Sequence, residues 1–410
     1  MKALVVERLL HRFAAARVAA ATLGSGSGIG GGPLRLLEID PPELPAQGWR
    51  RVRPLLSGIC GSDLATLDGT SSRYFEPIVT FPFVPGHEVV GELLDGPDAG
   101  ARVAIEPVLG CLARGIDPPC SACATGHKDL CERLTLGHLH PGLQTGYCAD
   151  TGGGWAEELV AHESQLHFVP DALSDEAAAL IEPTACALHA ALRGNVTQGE
   201  RVVVLGAGTL GLLVIAALRS VALPATVISV ARHPVQRDLA RSLGADTVVA
   251  ESELSRTVRR VTSSAGVARH EGDLERLGGG ADVIYDCVGS SASIAQSLSV
   301  VRPGGRIVLV GMPATVRLDL TPLWQRQIAL LGAYAYGTEE LDGHAQVTFD
   351  LASELVTDAD LGRLVSARYP LERYDEAVRH AASAGKRGAV KVVFDLRRTA
   401  KPWQRVSNSR

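Results

Sequence analysis

The sequence predicts an α/β protein in two parts: a β-rich, loop-heavy part, and a doubly wound parallel sheet with helices on both faces. Three observations predict it. Irregular Gly- and Pro-rich sequence with short strand-like runs dominates up to about residue 182. From about residue 175, wholly apolar strands alternate with helices, the pattern of a parallel sheet buried on both sides. A Gly-x-Gly-x-x-Gly turn stands between the first of those strands and its helix, the context in which such a turn binds a dinucleotide.

Composition sets the bounds. A chain of 410 residues has room for two ordinary domains. With 46% apolar and 21% charged residues and a formal charge of −5, it is a soluble globular protein without the basic excess of a general nucleic-acid surface. No uncharged apolar run reaches the ~18 residues of a membrane span; the nearest, residues 211–218, stops at Arg219. A strand directly at the start, with no leader-like segment, favours a cytoplasmic protein. Its eight cysteines would be reduced there, so a cysteine cluster points to metal before disulfide.

Lys2, Ala3, Leu4, Val5 and Val6 make the first strand. Residues 9–22 are alanine-rich with His11, Arg12 and Arg17, a faint likeness to an organelle-targeting helix. The strand ahead of them argues instead for a loop, and the Gly/Ser run at 24–33 reads as its flexible surface continuation. Strands follow at 34–39, 50–56 and 89–94, separated by Pro and Gly turns. The alternating part has a helix at 176–193, strand 202–205, helix 210–218, strand 226–230 and helix 234–243. It continues through 283–286, 294–301 and 306–310. Residues 336–394 return to mixed strands and helices, closing on a strand at 390–394, and the polar residues 397–410 are expected to fray.

Three stretches carry chemistry. In Val202-Val203-Val204-Leu205-Gly206-Ala207-Gly208-Thr209-Leu210-Gly211, Gly206 permits the tight turn, Gly208 lets a pyrophosphate approach the backbone, and Gly211 lets helix and strand pack closely. Thr209 and Leu210 open the helix whose free N–H groups face the phosphates. An NAD site usually ends its second strand with Asp or Glu. Here that end reads Val230-Ala231-Arg232-His233, with Arg237 one turn on. A guanidinium suits a 2′-phosphate, so NADP is preferred over NAD; Arg232 stacking on the adenine would leave NAD acceptable.

Cys111, Cys120, Cys123 and Cys131 lie within about twenty residues of a loop-rich segment, which suits a closed structural zinc site. Cys120, Cys123 and Cys131 have convincing spacing. The fourth ligand is open between Cys111 and Asp117, and a lobe without zinc is the alternative. Finally, Cys60 and His87 are typical zinc ligands, although a small buried Cys and a satisfied loop His read equally well from those two residues. Glu182, amid Leu180, Ile181 and Pro183, would be costly to bury unpaired. A cation held by Cys60 and His87 is its natural partner, and an exposed carboxylate the plainer option.

These motifs come in a telling order: Gly58-Ile59-Cys60-Gly61-Ser62-Asp63, Gly86-His87-Glu88-Val89-Val90-Gly91, the cysteine lobe, Gly152-Gly153-Gly154-Trp155-Ala156-Glu157-Glu158, Leu180-Ile181-Glu182-Pro183, the glycine turn, Tyr285-Asp286-Cys287-Val288-Gly289, Arg302-Pro303-Gly304-Gly305-Arg306 and Gly388-Ala389-Val390-Lys391-Val392-Val393. In this the chain resembles the zinc-dependent medium-chain alcohol dehydrogenases, near the polyol, sugar and threonine dehydrogenases. The resemblance implies a GroES-like β-rich catalytic domain from residues 1–183 and 336–410, a Rossmann domain at 184–335, and an active site in the cleft. It implies Cys60, His87 and Glu182 as catalytic zinc ligands, and Glu88 as an acid beside the zinc that can move in as an alternate. Asp63 would orient His87, and Ser62 would relay the substrate proton. It further implies a small-molecule substrate, no membrane or nucleic-acid partner, and a homodimer or homotetramer.

Two departures matter. The relay histidine common in the family is replaced by Ala65, so protons leave by another route, through water or the ribose hydroxyls. Asp117 stands where the lobe usually has its first Cys. Residues 135–150, with His138, His140 and Tyr147, and residues 73–76 are expected to shape the substrate pocket. The expected activity is hydride transfer between NAD(P) and an alcohol, polyol or sugar hydroxyl. One alternative is a zinc-free enone or quinone reductase of the same superfamily, against which Cys60, His87 and Glu182 count. The other is a non-catalytic dinucleotide-binding protein, which Ala65 allows but which leaves the ligand set without a purpose.

Overall fold

A computed structural model describes residues 1–221, 226–267, 275–341 and 343–397. The expected frayed tail lies, from residue 398 on, outside the described residues. The chain forms two compact units, one from Met1–Glu182 with the residues from Asp360 on, the other from Pro183–Ala359. The sequence had placed the return to the first unit at residue 336. Residues 336–359 instead carry a hairpin, Thr338–Leu341 with His344–Val347, and the helix Thr348–Asp358, all within the second unit.

The first unit is built on the strand Trp49–Gly58, whose buried positions include Trp49, Val52 and Leu56. Its sheet runs in the order Val365–Tyr369, Lys391–Asp395, Trp49–Gly58, Val89–Leu93, Arg102–Ile105 and Leu166–Phe168, with Leu159–His162 also pairing Trp49–Gly58. All these pairs are antiparallel except Val365–Tyr369 with Lys391–Asp395. Two registers position the chemistry. Ser57 pairs with Val89, and the Gly58 amide donates to the Glu88 carbonyl at 2.8 Å. Val393 pairs with Gly58 on the other side. One strand end, its neighbour's start and the C-terminal strand therefore meet at Gly58. A Cβ there would stand 1.9 Å from Glu88 Oε2, so the position admits only glycine without rearrangement.

The loop expected at 9–22 is a helix, Leu10–Leu23. Six alanines give it the strongest intrinsic propensity of any residue type, and the lack of a clear apolar stripe is what hid it. Its Phe13 ring meets Phe81 edge-on at 6.1 Å, and Ala16 is fully buried. The glycines that follow serve contact rather than flexibility. A Cβ on Gly28 would lie 2.6 Å from Ala16 Cα, and Asp68 accepts from the Gly26 amide at 2.9 Å and the Ser25 hydroxyl at 2.5 Å.

The second unit has a six-stranded sheet ordered Thr247–Val249, Thr226–Val230, Arg201–Leu205, Ala281–Asp286, Val301–Leu309, Ala329–Gly332, every pair parallel. In chain order this is 3-2-1-4-5-6, the dinucleotide-binding arrangement. Its central strands are mostly apolar because both faces are covered there; Val202, Val203, Val204, Ile228, Val283 and Ile284 are fully buried.

Candidate metal and cofactor sites

The register at Gly58 brings Cys60, His87 and Glu88 together, with one ligand atom from each lying within 4.8 Å of the others. Cys60 precedes the helix Gly61–Leu67, and its amide donates to Asp63 Oδ2 at 2.8 Å. Asp63 Oδ1 stands 3.6 Å from His87 Nδ1 and accepts from the Tyr147 hydroxyl at 3.4 Å. His87, Glu88 and Asp63 are all buried. Lys391, equally buried, pairs its ammonium with Glu88 and donates to the Ile59 carbonyl at 3.2 Å.

The expected ligand set was Cys60, His87 and Glu182, with Glu88 as alternate. Glu182 is only 7% exposed at the start of the helix Ile181–Arg193, and its charge acts on His87 and Lys391. The tightest group nevertheless contains Glu88 in its place. The Lys391 contact was missed from sequence. A lone lysine in the otherwise apolar run 389–394 was the available signal.

The electrostatics of this pocket call for a cation. Burial works against a charged imidazole, yet Asp63, Cys60 and Glu182 outweigh it and push His87 up to about 10. Burial also raises Asp63, against the pull of His87 and the Cys60 amide. The pair holds a proton between them, and it belongs on His87, because Asp63 already accepts two hydrogen bonds. Zinc would displace that proton, so uptake strengthens with pH. In the metal-free chain the charged His87 contributes stability fully present below about 6.5 and lost as pH rises through about 10. Denaturant midpoints of the stripped protein are expected to fall between pH 7 and 10, and a flat profile would contradict this.

In the cysteine lobe, Cys111, Cys120, Cys123 and Cys131 bring their sulfurs within 4.8 Å of one another. Cys111 and Cys131 are 3.7 Å apart, close to the ~3.8 Å between two thiolates bound tetrahedrally at about 2.3 Å. The amides of Cys111, Cys120 and Arg133 donate to Cys123, Cys111 and Cys131 sulfurs at 3.5, 3.3 and 3.4 Å. Burial opposes ionisation of Cys120, but hydrogen bonds from its neighbours bring it down to about 6; burial pushes Cys123 and Cys131 up. Four sulfurs at this spacing fit a tetrahedral zinc ion, which would hold them as thiolates. Asp117 is not in the group. The turn at 111–116, closed by the Ile116 amide on the Cys111 carbonyl at 2.9 Å, folds Cys111 back across its long gap to take the fourth place. Fully buried Arg114 pins that turn by donating to the carbonyls of Leu109, Leu136, Leu139, His140 and Gly142.

In the second unit, Gly206 has φ +88° and Gly208 caps the helix Thr209–Ser220. A Cβ on Gly211 would lie 1.8 Å from the Gly206 carbonyl oxygen, whereas one on Gly208 would meet nothing within 4 Å. Gly206 thus makes the turn and Gly211 permits the close approach of helix and strand, while Gly208 faces open space of the kind a pyrophosphate would need. Arg237 is spent locally, donating to the Ala231 and Arg232 carbonyls at 3.1 and 3.4 Å. The Arg232 side chain is 77% exposed and 3.5 Å from Glu251, a carboxylate the sequence reading did not weigh.

The fold and these sites define a two-unit, dinucleotide-binding oxidoreductase. Residues 46–171 match the alcohol dehydrogenase GroES-like domain and residues 209–349 the zinc-binding dehydrogenase domain. The chain belongs to the zinc-type medium-chain alcohol dehydrogenase family and is an NAD(P)-dependent dehydrogenase. It is 30% identical over 379 residues to L-idonate 5-dehydrogenase of Vitis vinifera, covering 88% of this chain and 93% of that one. It is 28% identical over 340 residues to sorbitol dehydrogenase of Bacillus subtilis, covering 80% and 85%. Among solved structures, a putative zinc-binding dehydrogenase from Sinorhizobium meliloti bound to NADP superposes with a TM-score of 0.66 at 26% identity, covering 88% of this chain and 95% of that chain. Galactitol-1-phosphate dehydrogenase from Escherichia coli shares the fold, with a TM-score of 0.69 at 23% identity over 96% and 100% of the two chains. No helix among the described residues is long and apolar enough to cross a membrane.

Proposed function

We propose that the protein oxidises a hydroxyl of a polyol or sugar, or reduces the matching carbonyl, with NADP preferred over NAD. The observation that carries this is the Cys60–His87–Glu88 group, a thiol, an imidazole and a carboxylate whose ligand atoms lie within 4.8 Å of one another, the donor set of a divalent cation such as zinc. The relatives' names, sorbitol and L-idonate dehydrogenases, support the substrate class. When bound, zinc supplies Lewis-acid polarisation of the hydroxyl and the nicotinamide accepts the hydride. The chain's own residues do the rest. Cys60, His87 and Glu182 would hold the ion, Lys391 engages Glu88, and Asp63 would fix the orientation of His87. Ser62 Oγ takes the hydroxyl proton, and the turn at Gly206, Gly208 and Gly211 seats the pyrophosphate. Eight cysteines, four of them gathered in one lobe, suit a reducing cytoplasm, and the family resemblance supports a homodimer or homotetramer, which light scattering would test.

Metal analysis followed by a panel of alcohols, polyols and sugars with both cofactors tests the reading. Two zinc equivalents and turnover of a polyol are expected; zinc-free turnover, or dinucleotide binding without turnover across the panel, would refute it. Arg232→Ala is expected to weaken NADP by roughly ten- to a hundredfold and leave NAD nearly unchanged, because only the 2′-phosphate needs the guanidinium. Equal loss for both cofactors would assign Arg232 to adenine stacking. Cys111→Ser is expected to release one zinc equivalent and lower the thermal midpoint, since structural zinc binding contributes directly to folding. Retention of both equivalents would return the fourth place to Asp117.

A further inference from the structure

Each hydride taken from an alcohol leaves one proton to dispose of, and at a buried centre that proton needs a path. Ala65 carries no group able to pass it. Ser62 Oγ is buried with no hydrogen-bond partner of normal geometry, and it lies beside the Tyr147 hydroxyl. Tyr147 Oη is 3.4 Å from Asp63 Oδ1 and 3.4 Å from Thr66 Oγ1. Thr66 Oγ1 is in turn 2.9 Å from the Ser62 carbonyl and 3.1 Å from Ser71 Oγ. Thr66 stands one helical turn after Ser62, on the same face. The chain then doubles back, with the Ser71 amide on the Ala65 carbonyl at 3.2 Å, and so sets the half-buried Ser71 against Thr66. The gap bounded by Val6, Asp63, Thr66, Phe83 and Tyr147 has no room for a water molecule. Hydroxyls must bridge it.

We propose that Ser62, Tyr147, Thr66 and Ser71 form a hydroxyl relay that carries the substrate's proton from the buried site to solvent. The proposal rests on the dehydrogenase reading above. The same atoms support two hydrogen-bond arrangements. At rest Tyr147 donates to Asp63, Thr66 to the Ser62 carbonyl and Ser71 to Thr66. In transfer, the substrate O–H bond breaks as Ser62 gains that proton and gives its own to Tyr147. Tyr147 passes its proton to Thr66, Thr66 to Ser71, and Ser71 to water. Each hydroxyl breaks one O–H bond and forms one, and none keeps a net charge. A competing route would run through water in the open cavity of about 450 Å³ that Arg17, Leu64, Ala65, Asp68 and Thr70 line.

The test uses the full-length, zinc-loaded enzyme and Thr66→Val, which keeps shape and removes the central hydroxyl, with Thr66→Ser and Ser71→Ala beside it. Trifluoroethanol, which resists hydride loss, is mixed with the oxidised cofactor and a pH indicator, so proton release is read without turnover. Polyol oxidation is followed separately. Thr66→Val is expected to slow proton release and kcat by roughly ten- to a hundredfold while KM stays within about twofold. Zinc content should be unchanged. Ser71→Ala should move the same way, Thr66→Ser should restore the rate, and imidazole entering the cavity beside Ala65 should partly rescue Thr66→Val. Wild-type proton release in Thr66→Val, or equal slowing by valine and serine, overturns the relay and leaves the dehydrogenase standing. A wild type that oxidises no alcohol or polyol overturns both.

Discussion

Cys60→Ala is expected to empty the catalytic metal site and lower turnover by at least about a thousandfold, with the fold kept. The estimate comes from Lewis-acid stabilisation worth several kcal/mol, of which about 4 kcal/mol corresponds to a thousandfold in rate. The fold should survive because Cys60 is a half-buried residue at a helix start rather than part of a core cluster. Zinc content should fall from two equivalents to one, since the lobe of Cys111, Cys120, Cys123 and Cys131 is a separate group. The thermal midpoint in the absence of added metal should stay close to wild type. Full turnover by a zinc-depleted Cys60→Ala enzyme would sink the assignment of this site.

Lys391→Met should produce the largest loss of stability. Its ammonium and the Glu88 carboxylate are both buried. Burial disfavours the ammonium, but Glu88 first and then Cys60 more than compensate, and raise its pKa. Methionine keeps the volume and removes the charge, which leaves Glu88 facing Asp63, Cys60 and Glu182 with less to oppose it. Breaking a buried pair from one side costs about 3–5 kcal/mol, or roughly 6–20 °C in the midpoint of a unit this size. The deficit should be greatest in metal-stripped protein, because a bound cation replaces part of the lost charge. Adding Glu88→Gln should recover much of it, as the carboxylate left behind is the source of the penalty. A Lys391→Met protein as stable as wild type with metal removed would show that Glu88 does not depend on the lysine.

What the sequence made legible was local. The glycine turn follows a buried strand and opens a helix within ten residues, so its role needed no fold. Cys60 and His87 were recognisable from ligand chemistry, yet the register of Ser57 on Val89 is what joins them. The misses share a cause. Lys391 reaches a carbonyl 332 positions away, and no periodicity carries that distance. Cys111 displaced Asp117 because a turn shortened a gap that spacing alone made look too long. Glu251 came to face Arg232 from the end of a neighbouring parallel strand. The helix Leu10–Leu23 was missed because glycines after it were read as freedom, when they are there for close approach to Ala16, Ala382 and the Asp68 carboxylate.

The strand that delivers Lys391 also sets a schedule. Cys60 and His87 leave the ribosome early and lie just past the end of one strand and just before the start of its neighbour, so their meeting closes a short loop. Neutralising Glu88 waits for a residue more than three hundred positions later, after the whole second unit has been made. Until then the nascent site is a concentration of negative charge without its lysine, an attractive resting place for any free divalent ion. Closure by Lys391–Asp395 is thus a late, long-range step that raises contact order and slows the first unit. A newly made chain is therefore expected to acquire its metal before it acquires its final strand.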